Sequence, residues 1–160
     1  MTLPRFTHDE TRPPLTWEDL TIGAPTIIGF AGLCSRALAA GVVAPAELSL
    51  AAETLLYAAR QRGSFEIKAI KNAYDSAQRL LAVHVEQAPE RVLAFRSRLS
   101  PQFTIQMLEG FRELCASGLV IHHLGHDFSL THSGLQRAAD IEAERIQALL
   151  AQAVELEFDE

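Results

Sequence analysis

The sequence predicts a mainly α-helical domain that contains a few short β-strands. Apolar residues recur at three- and four-residue spacing in several long segments, and typical helix-start residues such as Ser100 and Thr131 precede two of them. Strict alternation of apolar and polar residues is confined to short stretches such as SFEIKAI. A chain of 160 residues is long enough for one domain with its own core. We therefore expect a flexible, proline-containing arm at 1–15 and a single globular α-rich domain over 16–156.

The first half of the chain predicts two helices and one strand. Pro25 suits the first turn of a helix that reaches Ala40, and apolar residues lie on nearly every side of it, so we expect this helix to be central in the core. A second, amphipathic helix follows from PAELSLAAETLLYAARQRG, and Gly63 is the residue that ends it. The alternating stretch SFEIKAI comes next and predicts a half-buried strand.

The stretch YDSAQRLLAVHVEQ, residues 74–87, fits two conformations. Its leucine and alanine spacing is typical of a helix, whereas Val83 and Val85 at alternate positions favour a strand over LAVHVE. We favour the helix.

The second half predicts a helix, a hairpin and a long last helix. Ser100 as the N-cap and Pro101 in the first turn begin a helix that ends at Gly118. Its buried stripe consists of Phe103, Met107, Phe111 and Leu114. LVIHHL predicts a strand, GHD a turn and FSL a returning strand. Thr131 then caps a last helix whose apolar stripe continues to Ala153.

These features resemble the end of a winged-helix domain. The stretch SPQFTIQMLEGFRELCASGLVIHHLGHDFSLTHSGLQRAA, residues 100–140, has a helix before GLV, a two-stranded wing and an FSLTxxG turn into another helix. The resemblance implies a winged-helix-like part over 100–156, with a β-hairpin wing. It also raises a DNA-binding transcriptional regulator as an alternative function. However, the helix at 101–117 carries a net charge of −1, from Arg112, Glu109 and Glu113, where DNA-reading helices carry Arg or Lys.

The segment HHLGHDFSLTHSG contains four of the six histidines of the chain. His122 and His123 are adjacent on a strand and must point to opposite faces, so they cannot share a metal ion. His122 with His126, or His123 with Asp127, could converge across the turn, but zinc wants three or four ligands and no CxxC or HExxH motif supplies the others. We expect no metal and no cofactor, and a small metal-dependent enzyme remains the weakest alternative.

The sequence offers no catalytic residue. It has no glycine-rich phosphate loop and no GxSxG motif, and Cys34 and Cys115 fall within apolar helical patterns, where buried thiols are inert. We therefore expect a protein that is not an enzyme. The polar opening MTLPRFTHDETRPP predicts no secretory signal, so two isolated cysteines indicate a reducing, cytoplasmic location. The apolar stretch 24–46 is interrupted by Arg36, which favours a buried helix over a membrane span.

Charge is unevenly distributed along the chain. The net charge is −6, which argues against generic attraction to nucleic acid or anionic membrane. Residues 60–98 hold eight basic and four acidic side chains, a local excess of +4, so the rest carries −10. This segment is either an ordinary solvated surface or a binding patch for an acidic partner or a nucleic-acid backbone. As a patch it would use Arg60, Arg62, Lys68 and Lys71.

The predicted last helix suggests self-association. From Thr131 to Ala153 it would be about 33 Å long, more than a domain of this size covers with its own core. Leu149, Leu150 and Val154 would then form a homodimer interface, unless residues 25–60 fold back and bury them. Taken together, the sequence favours a non-catalytic cytosolic module that binds a protein partner or a second copy of itself.

Overall fold

The structure is a computed structural model that describes residues 24–69, 80–97 and 99–157. Within these ranges the chain forms the helices α1 (Ala24–Ala40), α2 (Leu50–Ala58), α3 (Pro101–Ala116), α4 (His132–Ala139) and α5 (Ala143–Leu150). It also forms the strands β1 (Ser64–Ala69), β2 (Leu81–Ala88), β3 (Arg91–Phe95), β4 (Val120–His122), β5 (Asp127–Leu130) and β6 (Val154–Glu157). About 47% of the described residues are helical and 24% are in strands. The fold is therefore mixed α/β, and the prediction of a mainly α domain is wrong.

All six strands belong to one antiparallel sheet, in the order β4-β5-β1-β2-β3-β6. The predicted helix over 74–87 is wrong from Leu81 onward, where β2 forms between β1 and β3. Val83 and Val85 are fully buried on the same side of β2. Their branched side chains suit a pleated surface with a strand on either side, and this pairing outweighs the local helical preference.

The sheet has an inner face that supports the helices and an outer face. The inner face presents the large apolar side chains of β1, β2, β3 and β5, and they join the core with residues of α1, α2, α3 and α4. Phe111 of α3 lies at its centre. Its ring makes edge-to-face contacts with Phe30, Phe65 and Phe128 at centroid distances of 5.5, 5.3 and 5.0 Å.

Helix α3 passes very close to α2. A Cβ atom on Gly110 would lie 2.7 Å from the Cβ of Ala51 and 2.9 Å from backbone atoms of Ala51 and Ala52. Only glycine allows this approach. Helix α1 lies farther out than predicted, because Ile28 and Leu38 are 70% and 64% exposed, so the expectation of a central α1 is wrong.

The predicted hairpin is confirmed, with β4 and β5 paired antiparallel. The predicted cap at Thr131 also forms, since its hydroxyl accepts a hydrogen bond from the amide of Gly134 at 3.1 Å. Ser100 is the N-cap of α3 as expected, although its side chain makes no capping bond. Gly63 and Gly118 adopt the positive φ values of 68° and 72° that helix-ending glycines use.

The prediction of one long last helix is wrong, because two shorter helices, α4 and α5, form in its place. The chain leaves α4 at Asp140 and starts α5 after Glu142, and Ile141 between them packs against the core. This break lets α5 contact α2 and bury Ile146. Helix α5 ends at Leu150, although a continued helix was predicted up to Ala153, and after a turn the chain adds β6 beside β3.

Several predictions fall on residues outside the described ranges. These are the arm at 1–15, the start of the domain at 16–23 and the segment 70–79. In the described part of the chain, no helix is long and apolar enough to cross a membrane.

Candidate functional site

The candidate site lies on the outer face of the sheet, where strand register gathers residues that are far apart in sequence. Glu66 of β1 pairs with Asp127 of β5 on one side and with His84 of β2 on the other. Side chains of directly paired residues point to the same face of a sheet. Two carboxyl groups and one imidazole therefore form a row across three adjacent strands.

This row lies in a cleft of about 500 Å³. The titratable residues that line it are Glu66, His84, Glu86, Glu90, His123 and Asp127. Among the described residues that line it, none is a lysine or an arginine. Ser64 and Ser129, a cross-strand pair, contribute hydroxyl groups. The cleft thus presents mainly hydrogen-bond acceptors.

His84 is the most buried polar side chain of the cleft, with 8% of its surface exposed. Its Nδ1 lies 3.1 Å from the carbonyl oxygen of Ala82. Because a carbonyl only accepts, Nδ1 carries the proton and donates it, which leaves Nε2 as an acceptor. Burial lowers the pKa of His84, and the charge of Lys68 adds to this effect, while the bond to Ala82 opposes it. The imidazole is therefore neutral at neutral pH.

Glu90 lies in the two-residue turn between β2 and β3. Its φ of 68° is the only positive value at a non-glycine position in the described chain. Pro89 precedes it, and a proline followed by a residue with positive φ is the pattern of a type II turn. Glycine or asparagine is preferred at this second position, so glutamate there costs stability. The chain uses this position for a carboxylate that lines the cleft.

The basic residues predicted as a binding patch are largely occupied. Arg62 forms an ion pair with Glu86 at 3.0 Å, and Lys68 forms one with Glu66 at 3.1 Å. The guanidinium of Arg60 lies 3.8 Å above the ring of Tyr57 and donates to the carbonyl oxygen of Tyr57. Lys71 lies outside the described residues. Arg62 and Lys68 thus flank an acidic cleft, and the structure does not bring these residues together with Arg60 as one free basic patch.

The histidine-rich hairpin supplies one wall of the cleft. His123 Nε2 lies 2.6 Å from the hydroxyl of Ser129, whereas His122 Nε2 lies 2.9 Å from the carbonyl oxygen of Gly125. A serine beside a histidine is the first requirement of a nucleophile activated by a base. Among the described residues, however, no further side chain hydrogen-bonds His123 to orient it. Across the ranges given above, no three metal-binding side chains lie close enough together to hold an ion.

The two cysteines are buried in the core, as predicted, with Cys34 in α1 and Cys115 in α3. The hydrogen bond with Cys34, together with burial, raises the pKa of the Cys115 thiol. A protonated, inaccessible thiol is a poor nucleophile, so Cys115 takes no part in the candidate site.

None of the residues predicted as a dimer interface lines the cleft. Leu149 and Leu150 of α5 are half-buried and pack against the core. Val154, at the start of the edge strand β6, is 39% exposed. The sequence prediction named none of the outward-facing residues of β2 as a site. A usable signal was the alternation of Ala82, His84 and Glu86 with Val83 and Val85, which indicates one polar and one apolar face.

Comparison of the chain with protein families, curated proteins and solved structures found no match. The function therefore has to be inferred from the geometry of the site itself.

Proposed function

We propose that this chain is a non-catalytic, cytosolic protein-interaction module whose partner binds on the outer face of the sheet. The observation that carries the proposal is the cleft of about 500 Å³, which is formed by side chains of β1, β2, β3 and β5 and of the turns β2–β3 and β4–β5. Strands that are fixed from one side by a helical core make a rigid platform for recognition on the other side. The cytosolic location rests on the two free thiols, which are typical of a reducing compartment.

The chemistry of the cleft supports binding over catalysis. A neutral imidazole, hydroxyl groups and carboxylates can hold a donor-rich surface in place. A catalytic role would need a nucleophile with an oriented base and a group that stabilises developing charge. The contact between His123 and Ser129 places a hydroxyl beside an imidazole, but in the described part of the chain no side chain orients that imidazole.

Photo-crosslinking in the cells that express the protein tests the proposal. Benzoylphenylalanine in place of His123, an exposed residue at the cleft, should form crosslinks to another polypeptide. The same group in place of Gln147, an exposed residue of α5, is the matched control and should give none. Equal crosslinking from both positions, or none from His123, would exclude the outer face as the binding surface.

Self-association is a second candidate, and it is favoured by the free edge of β6. This strand ends the order of the described sheet, and Val154 exposes an apolar side chain there. An uncovered edge strand can pair with the same strand of a second copy. Light scattering should then give a dimer that Val154→Lys converts to a folded monomer. A monomeric mass for the unmodified protein would rule this candidate out, and Leu149 and Leu150 with it.

The DNA-binding alternative suggested by the winged-helix resemblance has less support. Helix α3, which such a protein would place in the major groove, buries seven residues, including Phe103, Met107 and Phe111, against the core. Two of the predicted basic residues are engaged with Glu66 and Glu86. Binding to random duplex DNA should therefore be weak, about 10⁻⁴ M or weaker at physiological salt. Salt-sensitive binding at submicromolar protein would favour the DNA alternative instead.

A further inference from the structure

The outer cleft carries a repulsive arrangement that a ligand can relieve. Glu66 and Asp127 are directly opposite each other on β1 and β5. Like charges at such positions destabilise a sheet, and neighbouring strands are only about 4.8 Å apart. Lys68 neutralises one of the two carboxylates, at 3.1 Å from Glu66. In the described part of the chain, no cation lies within ion-pair distance of Asp127 or of Glu90.

His84 is an independent indication of what the ligand must offer. Its side chain is more than nine-tenths buried, and Nδ1 is committed to the carbonyl oxygen of Ala82. Nε2 is left as an acceptor in a residue that lines the cleft, and no described residue donates to it. A group bound in the cleft can therefore offer a donor to this acceptor, and the carboxylates around it favour a donor with positive charge.

We propose that the cleft binds the guanidinium group of an arginine in a basic segment of the protein partner, an inference that rests on the interaction function proposed above. A guanidinium is planar and carries five N–H donors in a fixed fork. It can donate to acceptors on adjacent strands at the same time, for example to Glu66 and His84, which are paired across β1 and β2. An ammonium group is a compact point charge and matches this spread of acceptors less well.

A polypeptide fits the surroundings of the cleft better than a small amine does. Val92 lines the cleft and pairs with Leu156 of β6, and Ala94 beside it pairs with Val154. Val92, Val154 and Leu156 form a partly exposed apolar strip on the same face as the acidic row, whereas Ala94 is fully buried. An arginine in the cleft would place the apolar neighbours of that arginine within reach of this strip. Charged and apolar contacts side by side are typical of protein recognition sites.

Nuclear magnetic resonance can test the inference on the full-length ¹⁵N-labelled chain. The probe is a terminally blocked Gly-Arg-Leu-Arg-Gly peptide, and the matched control peptide carries citrulline in place of arginine, which keeps the shape and removes the charge. The arginine peptide should shift the amide signals of Glu66, His84 and Asp127, and the citrulline peptide should not. The shifts should weaken as salt is raised. The same titration with agmatine, a free guanidinium compound, shows whether the guanidinium group alone binds as tightly as the peptide does.

Three substitutions then assign the contacts. Asp127→Asn and Glu90→Gly each remove a carboxylate, and His84→Asn keeps a donor for Ala82 while removing the acceptor at Nε2. Each should raise the dissociation constant of the arginine peptide by roughly fivefold to tenfold. Glu109→Gln, which removes an exposed carboxylate from α3, should leave it unchanged. Asp127→Asn also removes a like charge opposite Glu66, so this variant should be at least as stable as the unmodified protein. A denaturation curve of the variant distinguishes a loss of binding from unfolding.

The outcomes separate this inference from the function on which it rests. Binding that is lost in the cleft variants and retained in Glu109→Gln supports the arginine site. Shifts outside the cleft, equal binding of the citrulline peptide, or variants that match Glu109→Gln would overturn it. Agmatine that binds as tightly as the peptide would overturn the polypeptide source. If His123 crosslinks a partner but the arginine peptide leaves the cleft signals unchanged, the arginine site fails and the interaction function stands.

Discussion

The two faces of the sheet are built from the same strands but differ in burial and polarity. On the inner face, Phe65, Ile67, Val83 and Val85 are at most 2% exposed and meet the helices in a continuous core. On the outer face, the residues that alternate with them include Glu66, His84 and Glu86, which line a cleft. The inner residues pack against one another, whereas the outer face places the carboxylates of Glu66 and Asp127 side by side. Among the described residues, none donates a hydrogen bond to Nε2 of His84. The inner face therefore accounts for the fold, and the outer face is the one on which we propose that a partner binds.

The largest expected effect lies on the inner face. Phe111→Ala should lower the free energy of unfolding by about 3 to 5 kcal/mol, because it removes a ring that contacts three other phenylalanines and leaves a cavity. Ile105→Ala, at a residue of the same helix that is 45% exposed, is the control and should cost less than about 1 kcal/mol. Chemical denaturation measures both values. Equal losses would mean that Phe111 is not at the centre of the core.

Replacing two helical glycines by alanine should change the free energy of unfolding by smaller amounts and in opposite directions. Gly110→Ala should destabilise the protein by about 1 to 3 kcal/mol, since its Cβ would lie 2.7 Å from that of Ala51. Gly32→Ala in α1 meets nothing within 4 Å and should stabilise by about 0.5 to 1 kcal/mol through the helical preference of alanine. Thermal denaturation gives the sign directly. A stabilised Gly110→Ala variant would show that α2 and α3 are farther apart than described.

On the outer side of the sheet, removing the side chain of a cleft residue should raise stability, whereas the same kind of change on the inner face lowers it. Glu90→Gly should stabilise the protein by about 0.5 to 1 kcal/mol, because glycine adopts the φ of 68° without strain. Glu90→Ala removes the same carboxylate but keeps the strain, so it should bring no such gain. Comparison of the two unfolding curves separates the effect of the backbone conformation at residue 90 from the effect of losing the Glu90 carboxylate. If Ala and Gly behave alike, the turn is not strained at this position.

The smallest expected difference at neutral pH is that between His84→Gln and the unmodified protein in the pH dependence of the free energy of unfolding. This difference grows as the pH falls. Burial lowers the pKa of His84 in the folded protein, so below about pH 6.5 the unfolded chain takes up a proton that the folded chain resists. The stability contributed by the neutral imidazole is present above that pH and is lost on acidification. His84→Gln removes this titration, and its unfolding free energy should fall less between pH 7 and lower pH than that of the unmodified protein. Parallel pH profiles would mean that His84 titrates normally in the folded state.

The contrast between the faces also explains what the sequence could predict. Helix α3, the β4-β5 hairpin and the cap at Thr131 were predictable because their signals are local. Strand β2 was not assigned, because its alternation of Val83 and Val85 competes with a helical leucine and alanine pattern, and the strands β1 and β3 decide between them. Strand β6 was also not assigned, because a strand of four residues gives little local signal and forms here by pairing with the distant strand β3.

The candidate site was still less accessible from the sequence. Glu66, His84 and Asp127 are brought together only by the register of three strands. The predicted basic patch followed from composition, which does not reveal that Arg62 and Lys68 are paired with Glu86 and Glu66. Local sequence therefore predicts which face of a strand is polar. Which polar residues meet depends on pairings between distant segments.

The most direct test of the outer face as a binding surface measures stability and binding in one variant. The double substitution Glu90→Gly with Asp127→Asn should leave the unfolding free energy unchanged or raise it, since it removes a strained turn residue and a repulsive pair. In the same variant, crosslinking of the partner from benzoylphenylalanine at His123 should fall at least several-fold. A variant that keeps full crosslinking, or that loses stability and crosslinking together, would contradict the division of the sheet into a face that folds and a face that binds.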